Sequence, residues 1–172
     1  MKSFLQHGLL ILIVVLFYAC SAETETHTIE TPALDLEMTG PLFQGPNTAT
    51  ATWEYSLKEL FPQSGNEIDI EDVRITTIKI SPKDGIDYPE LGKVIMEMKP
   101  KNSGMSRIAL LESNFDTTKT NLLSIAEIQE DFDEAFEDER LTFVADFDMI
   151  SEEYFDDLSF GLVVTFEIEI EK

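Results

Sequence analysis

Histidine is almost absent from this chain, and most side-chain catalysis goes with it. There are two histidines, His7 and His27; the first lies in an N-terminal apolar stretch and the second in a polar segment without periodicity. A Ser-His-Asp triad, a histidine-rich zinc site and a histidine general base therefore lack their central residue. A glycine-rich phosphate loop is missing as well. Basic residues are scarce: 12 Lys and Arg stand against 34 Asp and Glu, for a formal net charge of −22. Such a chain is repelled by phosphate backbones, which argues against nucleic acid as a partner. Long amphipathic helices are wanting too. Only Ile125, Ile128, Phe132 and Phe136 keep helical spacing, and that stretch runs into a cluster of charges. Cysteine occurs once, as Cys20.

The position of that cysteine matters. Lys2 opens the chain, Gly8 to Ala19 is an unbroken apolar run, and Cys20 follows at once. A basic start, an apolar run of this length and small residues at its end read as a secretory signal peptide. The run is too short for a permanent membrane helix, which needs about 20 apolar residues.

The junction Phe17-Tyr18-Ala19-Cys20 resembles the lipobox of bacterial lipoproteins. Ala19 and Cys20 fit that pattern, while Phe17 stands where leucine is usual and Tyr18 is larger than the residue normally found there. The resemblance implies a diacylglyceryl group on the Cys20 thiol, cleavage before Cys20, acylation of the new amino terminus (by palmitate, for example) and anchoring through at least two chains. With Cys20 lipidated there is no free thiol left for a disulfide, a thiolate metal site or a nucleophile. The resemblance also implies a bacterial cell-envelope location, with the outer membrane and surface exposure suggested by the early acidic residues Glu23 and Glu25. Three segments result: a signal peptide over 1–19, a lipidated cysteine and flexible polar tether over 20–33, and one domain over 34–172.

The domain reads as strands throughout. Leu158, Phe160, Leu162, Val164, Phe166, Ile168 and Ile170 alternate with mostly polar neighbours, and Leu141, Phe143, Ala145, Phe147 and Met149 do the same. Period-two alternation puts one face of each on a core, and the two are expected to be antiparallel neighbours. Further strands are expected at Leu34–Met38, Thr48–Leu57, Val73–Ile80, Val94–Met98 and Arg107–Leu111. Over Val73–Ile80 the apolar phase switches between Ile75 and Ile78, which predicts a β-bulge near Thr76 and Thr77. Leu122–Ile128 reads as a strand or a helix start, with strand preferred. The fold class is all-β: a single β-sandwich of about seven or eight antiparallel strands. An immunoglobulin-like Greek key is the first topology suggested and a jelly roll the second.

Charge is uneven along the chain. Arg74 to Lys119 holds 8 basic and 6 acidic residues, whereas Leu122 to Lys172 holds 2 basic and 17 acidic. The run Glu130 to Glu139 looks like a calcium loop, but Phe136 sits where the helix-loop-helix pattern needs glycine and Ala135 replaces a ligand. A solvated acidic face is the simpler reading. Asp146 and Asp148, with Asp156 and Asp157, could converge as a carboxylate pair for glycoside hydrolysis. In a chain with 34 acidic residues such pairs also arise by chance. Trp53, Tyr55, Tyr88 and Tyr154 could form a sugar-stacking platform, although Trp53 lies in an alternating strand and reads as core. Tyr88 is expected to be the exposed aromatic of a ligand surface. No catalytic, cofactor or metal residue is assigned and no cofactor is implied; Cys20 is the one assigned site. The function expected is a non-enzymatic, lipid-anchored binding or structural module for a protein or glycan partner. A carbohydrate-binding accessory domain, possibly calcium-assisted, is the alternative.

Overall fold

The computed structural model describes residues 24–63, 68–102, 104–129 and 132–171; the signal peptide and the Cys20 lipidation site lie outside them. Ten strands form one antiparallel sheet that is nearly barrel-shaped. They are β1 Thr24–Glu30, β2 Leu34–Met38, β3 Leu42–Glu54, β4 Ile70–Pro82, β5 Leu91–Pro100, β6 Ser106–Leu111, β7 Asn121–Leu122, β8 Ser124–Ile125, β9 Arg140–Tyr154 and β10 Leu158–Glu171. Two short helices, α1 Leu57–Leu60 and α2 Asp133–Glu137, sit in the connections.

The pairing is nested. β2 pairs with β10, β3 with β9, β4 with β7 and β5 with β6, so the chain behaves as one long hairpin folded back on itself. The full order is β7-β4-β10-β2-β3-β9-β5-β6-β8. Its two outer strands belong to one short segment. Leu123 N–H donates to Ile78 O at 3.0 Å and Ala126 N–H to Ile108 O at 2.9 Å, so residues 121–126 tie the edge of β4 to the edge of β6 and nearly close the barrel. Closure of this kind shortens the open edges of β4 and β6, which would otherwise invite pairing with another chain; β1, which among the described residues pairs only with β10, remains an edge strand.

β9 and β10 are not neighbours, contrary to the expectation from sequence. β2 and β3 lie between them, and the two long strands meet face to face instead. Phe147 of β9 stacks on Phe160 of β10 with ring centroids 4.5 Å apart and planes inclined by 11°. Inward phenylalanines on both strands fill the space between facing layers; strands side by side would have pointed them the same way. Alternating burial along both strands bears out the period-two reading.

The predicted bulge is present. Thr165 pairs with Thr77 and Phe166 with Ile75, which leaves Thr76 as the extra residue. Val73, Ile75, Ile78 and Ile80 can therefore all face the core despite the phase switch. Where a strand is preferred for Leu122–Ile128, the two-residue pieces β7 and β8 form, and among the described residues of Ile125–Phe136 the helical stretch is α2.

Part of the expected tether is sheet. Thr24–Glu30 pairs residue by residue with Glu171–Thr165 of β10, and β2 occupies the other half of the same edge. Pro32 cannot donate a backbone hydrogen bond, so the ladder breaks between the halves. Thr31 bridges the break: its N–H donates to Val164 O at 2.9 Å, and its Oγ1 accepts from Val164 N–H at 3.1 Å.

Strand direction sorts the connections onto two rims. One carries β2–β3, β4–β5, β6–β7 and β9–β10. The other carries β3–β4, β5–β6, β8–β9, the start of β1 at Thr24 and the end of β10 at Glu171.

Candidate functional site

The first rim holds a groove of about 430 Å³ between the β4–β5 and β6–β7 connections, lined chiefly by Ser81, Lys83, Thr117, Thr118, Lys119 and Thr120. Two lysines, one aspartate (Asp84) and four hydroxyl side chains line it, on a protein whose net charge is −22. Its volume lies within the roughly 300–1,000 Å³ of small-ligand sites, although its lining is far more polar than theirs usually is.

Both walls are held by side chains. In the β6–β7 connection, Asn121 takes the place of a backbone partner: its Oδ1 accepts from Asp116 N–H at 2.9 Å and its Nδ2 donates to Asp116 O at 2.8 Å and Lys119 O at 3.0 Å. Asp116 Oδ1 accepts from Thr118 N–H at 2.9 Å and from the Thr118 hydroxyl at 2.6 Å, and its Oδ2 meets Lys119 Nζ at 3.0 Å. The hydrogen bonds from Thr118, with the Lys119 ammonium, bring the Asp116 carboxyl down to about 2. Phe115 roots this loop in the core, edge-on to Phe147 and Phe160 at 5.4 Å each.

The opposite wall is bolted by Tyr88. Its hydroxyl accepts from Lys83 N–H at 2.8 Å and donates to Ser159 O at 2.6 Å, while its ring lies 5.0 Å from that of Phe160. Burial raises the Tyr88 pKa, and the bond from Lys83 opposes that rise. The walls meet where Ser81 Oγ lies 2.8 Å from Thr120 Oγ1. Lys83 Nζ donates to Asp35 Oδ1 at 2.7 Å, which draws this lysine across β10 toward β2, away from the β6–β7 connection.

The residues singled out from sequence fare differently. Trp53 is core, as expected, packed 4.1 Å from the Tyr55 ring and stacked on Phe166 at 5.8 Å. Tyr55 donates its hydroxyl to Phe136 O at 2.7 Å, and burial, then Glu139 and Asp138, raise its pKa. These two lie toward the rim opposite Tyr88, so the four aromatics do not form one platform. Tyr88 is half-buried and structural rather than exposed. Tyr154 is its neighbour, and burial, then Asp156, Asp87 and Tyr88, raise the Tyr154 pKa. The exposed aromatics of this rim are Phe43, at 57%, and Phe155, at 69%.

Two of the four carboxylates considered from sequence hold the fold. Asp146 Oδ1 accepts from the Thr48 hydroxyl at 2.6 Å, and Asp157 Oδ1 caps Gly40 N–H at 2.8 Å. Among the described residues, Asp146 and Asp148 do not gather with Asp156 and Asp157 into a cluster within metal-ligand distance. Within the acidic run, Glu130 and Asp131 lie outside those residues. Of the rest, Phe132, Ala135 and Phe136 are buried, and Asp138 accepts from Asn102 N–H at 3.1 Å and from its Nδ2. Glu139, at φ 52°, accepts from Leu57 N–H at 2.8 Å. Among the described residues, carboxylates gather within metal-ligand distance at Asp69, Glu71 and Glu171, all exposed and on the rim opposite the groove.

Sequence reasoning missed the groove because its residues are ordinary loop residues. The signal that could have found it is Asp116-Thr117-Thr118-Lys119-Thr120-Asn121, in which Asp and Asn side chains fold the loop on itself. Among the described residues, no helix is long and apolar enough to cross a membrane. No family model and no curated protein matches the chain. Of solved structures, the chain is similar to one described as the structure of infectious bursal disease virus Gx strain, with 12% identity and a TM-score of 0.49 over 88% of this chain. It spans 34% of the length of that viral chain.

Proposed function

We propose that this chain is a lipid-anchored, non-enzymatic binding module of the bacterial cell envelope, carried on the outer membrane and displayed at the surface, with the Lys83–Lys119 groove as its ligand site. The observation that carries this reading is the separation of the two rims. β1 starts at Thr24, on the rim away from the groove. An extended chain spans at most about 3.6 Å per residue, so a lipid on Cys20 would hold the Thr24 rim within roughly 15 Å of the bilayer. The groove and the exposed Phe43 and Phe155 then face outward, toward a ligand.

The scarcity of histidine, and the use of Asp146 and Asp157 as hydrogen-bond acceptors within the fold, support binding over catalysis. The nested pairing supports the jelly roll over the immunoglobulin-like key: β2-β10-β4-β7 would be one sheet and β3-β9-β5-β6 the other.

The test is fatty-acid labelling and protease shaving of intact cells making the native protein or its Cys20→Ser variant. Label on the native protein alone, with the native domain digested on unbroken cells, is the expected result. Equal anchoring of both proteins would overturn the lipid anchor. Protection of the native domain until the envelope is opened would overturn surface display.

A further inference from the structure

We propose that the rim away from Thr24 docks a basic protein segment whose arginines lie on the exposed rings of Phe43 and Phe155 and pair with the carboxylates around them. This surface is separate from the groove, and the proposal depends on neither the lipid anchor nor the groove lysines.

Leu42 of β3 and Tyr154 of β9 face each other with their side chains toward the core, so alternation turns the positions beside them outward. Phe43 stands directly across from Glu153, and Phe155 follows two residues after Glu153. That is the diagonal position on one face of an antiparallel pair, where neighbours lie about 7–8 Å apart, within reach of aromatic side chains. Every other described phenylalanine is buried; the two that are exposed sit together at this corner. The corner is also held in shape. Gly40 N–H donates to Asp157 Oδ1 at 2.8 Å and Gln44 Nε2 to Ile150 O at 3.3 Å, so little order has to be imposed when a partner docks.

Charge selects the partner. Residues 148–157 hold five acidic residues and no basic one, and residues 39–47 hold no charge at all. Glu152, Glu153, Asp156 and Asp157 are exposed, and among the described residues no lysine or arginine is ion-paired with them. Lys93 lies in the β5 bulge opposite Asp148. After burial, Asp156 and Asp87 raise the Tyr154 pKa, which sets Asp87 beside the same corner. An anionic surface is repelled here and a cationic one is drawn in. Rings next to carboxylates suit guanidinium better than ammonium, because its plane stacks on a ring while its N–H fork grips a carboxylate. In an extended segment, residues i and i+2 share a face about 6.5–7 Å apart, close to the diagonal spacing of the two phenylalanines. Arginines at that spacing meet Phe43 and Phe155 together, with Glu153 beside them.

The experiment is fluorescence anisotropy of a labelled short peptide alternating arginine with threonine, added to the full chain in phosphatidylcholine nanodiscs. Lysine and glutamate versions of the peptide run alongside, and hydrogen exchange is followed over residues 39–47 and 148–157. Expected is binding of the arginine peptide at least tenfold tighter than of the lysine peptide, none of the glutamate peptide, and protection gained in those two segments. Phe43→Ser, Phe155→Ser and Glu153→Gln, all at exposed positions, should each weaken binding severalfold, while Glu71→Gln on the other rim should leave it unchanged. Undiminished binding by both phenylalanine variants, or protection spread over the whole acidic surface, would mean a polycation held by net charge alone and would overturn the proposal. Equal affinity for the lysine peptide, or no binding of either basic peptide, would overturn it as well. Protection of the same segments by added phosphatidylcholine vesicles, and not by the peptide, would assign the two rings to a bilayer instead.

Discussion

Replacing Thr31 with valine removes a single hydroxyl from the break in the edge of β10 and leaves the shape of the side chain unchanged. Thr31 is 4% exposed, so water cannot take over its role. In the native chain Oγ1 accepts from Val164 N–H at 3.1 Å, and no carbonyl of β1 or β2 stands in that gap. Valine keeps the volume, so no cavity opens, and the whole effect comes from one buried amide left without a partner. That costs about 1–3 kcal/mol. In a domain of this size each kcal/mol lowers Tm by roughly 2–4 °C, so a loss of about 2–12 °C is expected by circular dichroism. Hydrogen exchange supplies the local readout: the Val164 amide should lose protection more than its neighbours Val163 and Thr165. A Tm within 1 °C of native together with unchanged Val164 protection would refute the account of the break. So would equal loss of protection along the whole of β10, which would mean a general loosening.

The loop carboxyl Asp116 gives a pH prediction. Its folded pKa, about 2, lies below the ordinary 3.8, so the order it imposes on the loop is complete above the ordinary value and is lost as pH falls through about 2; the Thr118 amide shift should titrate with that midpoint, and Asp116→Asn should abolish the step. Gly40→Ala would bring a Cβ to 2.8 Å from the carbonyl oxygens of both Phe155 and Asp156, so a cost of about 1–3 kcal/mol is expected in urea unfolding. Tyr55→Phe leaves the Phe136 carbonyl without its hydroxyl donor and should cost about 1 kcal/mol. Because the folded pKa of Tyr55 is raised above 10.0, the stability it contributes is full below that pH and is lost as pH rises beyond it; the native protein should therefore lose stability at high pH more steeply than Tyr55→Phe.

The strands were legible wherever alternation was strict. Leu34–Met38 is found with the expected bounds, and the phase switch between Ile75 and Ile78 placed the bulge near Thr76 and Thr77, where Thr76 is the extra residue. Both depend on side-chain period alone, which one sequence displays fully. Partnership between strands was not legible. Leu141–Met149 and Leu158–Ile170 looked like a hairpin because only a short connection separates them. What parts them is the facing of Phe147 and Phe160 across the core, a property of two strands together and of neither alone. Thr24–Glu30 failed for another reason: apart from Ile29 its residues are polar or charged, and it is a strand through backbone pairing with β10. Composition records burial, and an edge strand lying mostly in solvent need not carry that record.

The same division explains why the candidate site stayed hidden. A site recognised from sequence needs rare residues at fixed spacing, and this chain has few histidines and one cysteine. The groove is made instead by adjacency. β7 pairs with the end of β4, which sets the Asp116–Asn121 loop against Ser81 and Lys83, more than thirty positions earlier in the chain. The loop's shape comes from within, through Asp116 and Asn121, but its position comes from Asn121 facing Ile80 in the sheet. Asn121 therefore serves both ends of the argument: its backbone joins the β4 edge and its side chain folds the loop that lines the groove. Its substitution by leucine should disturb the groove loop and the β4–β7 pairing together. Substitution of Thr118 by valine should loosen the loop and leave that pairing protected from hydrogen exchange. Identical exchange patterns in the two variants would mean that loop and edge are not separable, and that the groove's stiffness belongs to the sheet alone.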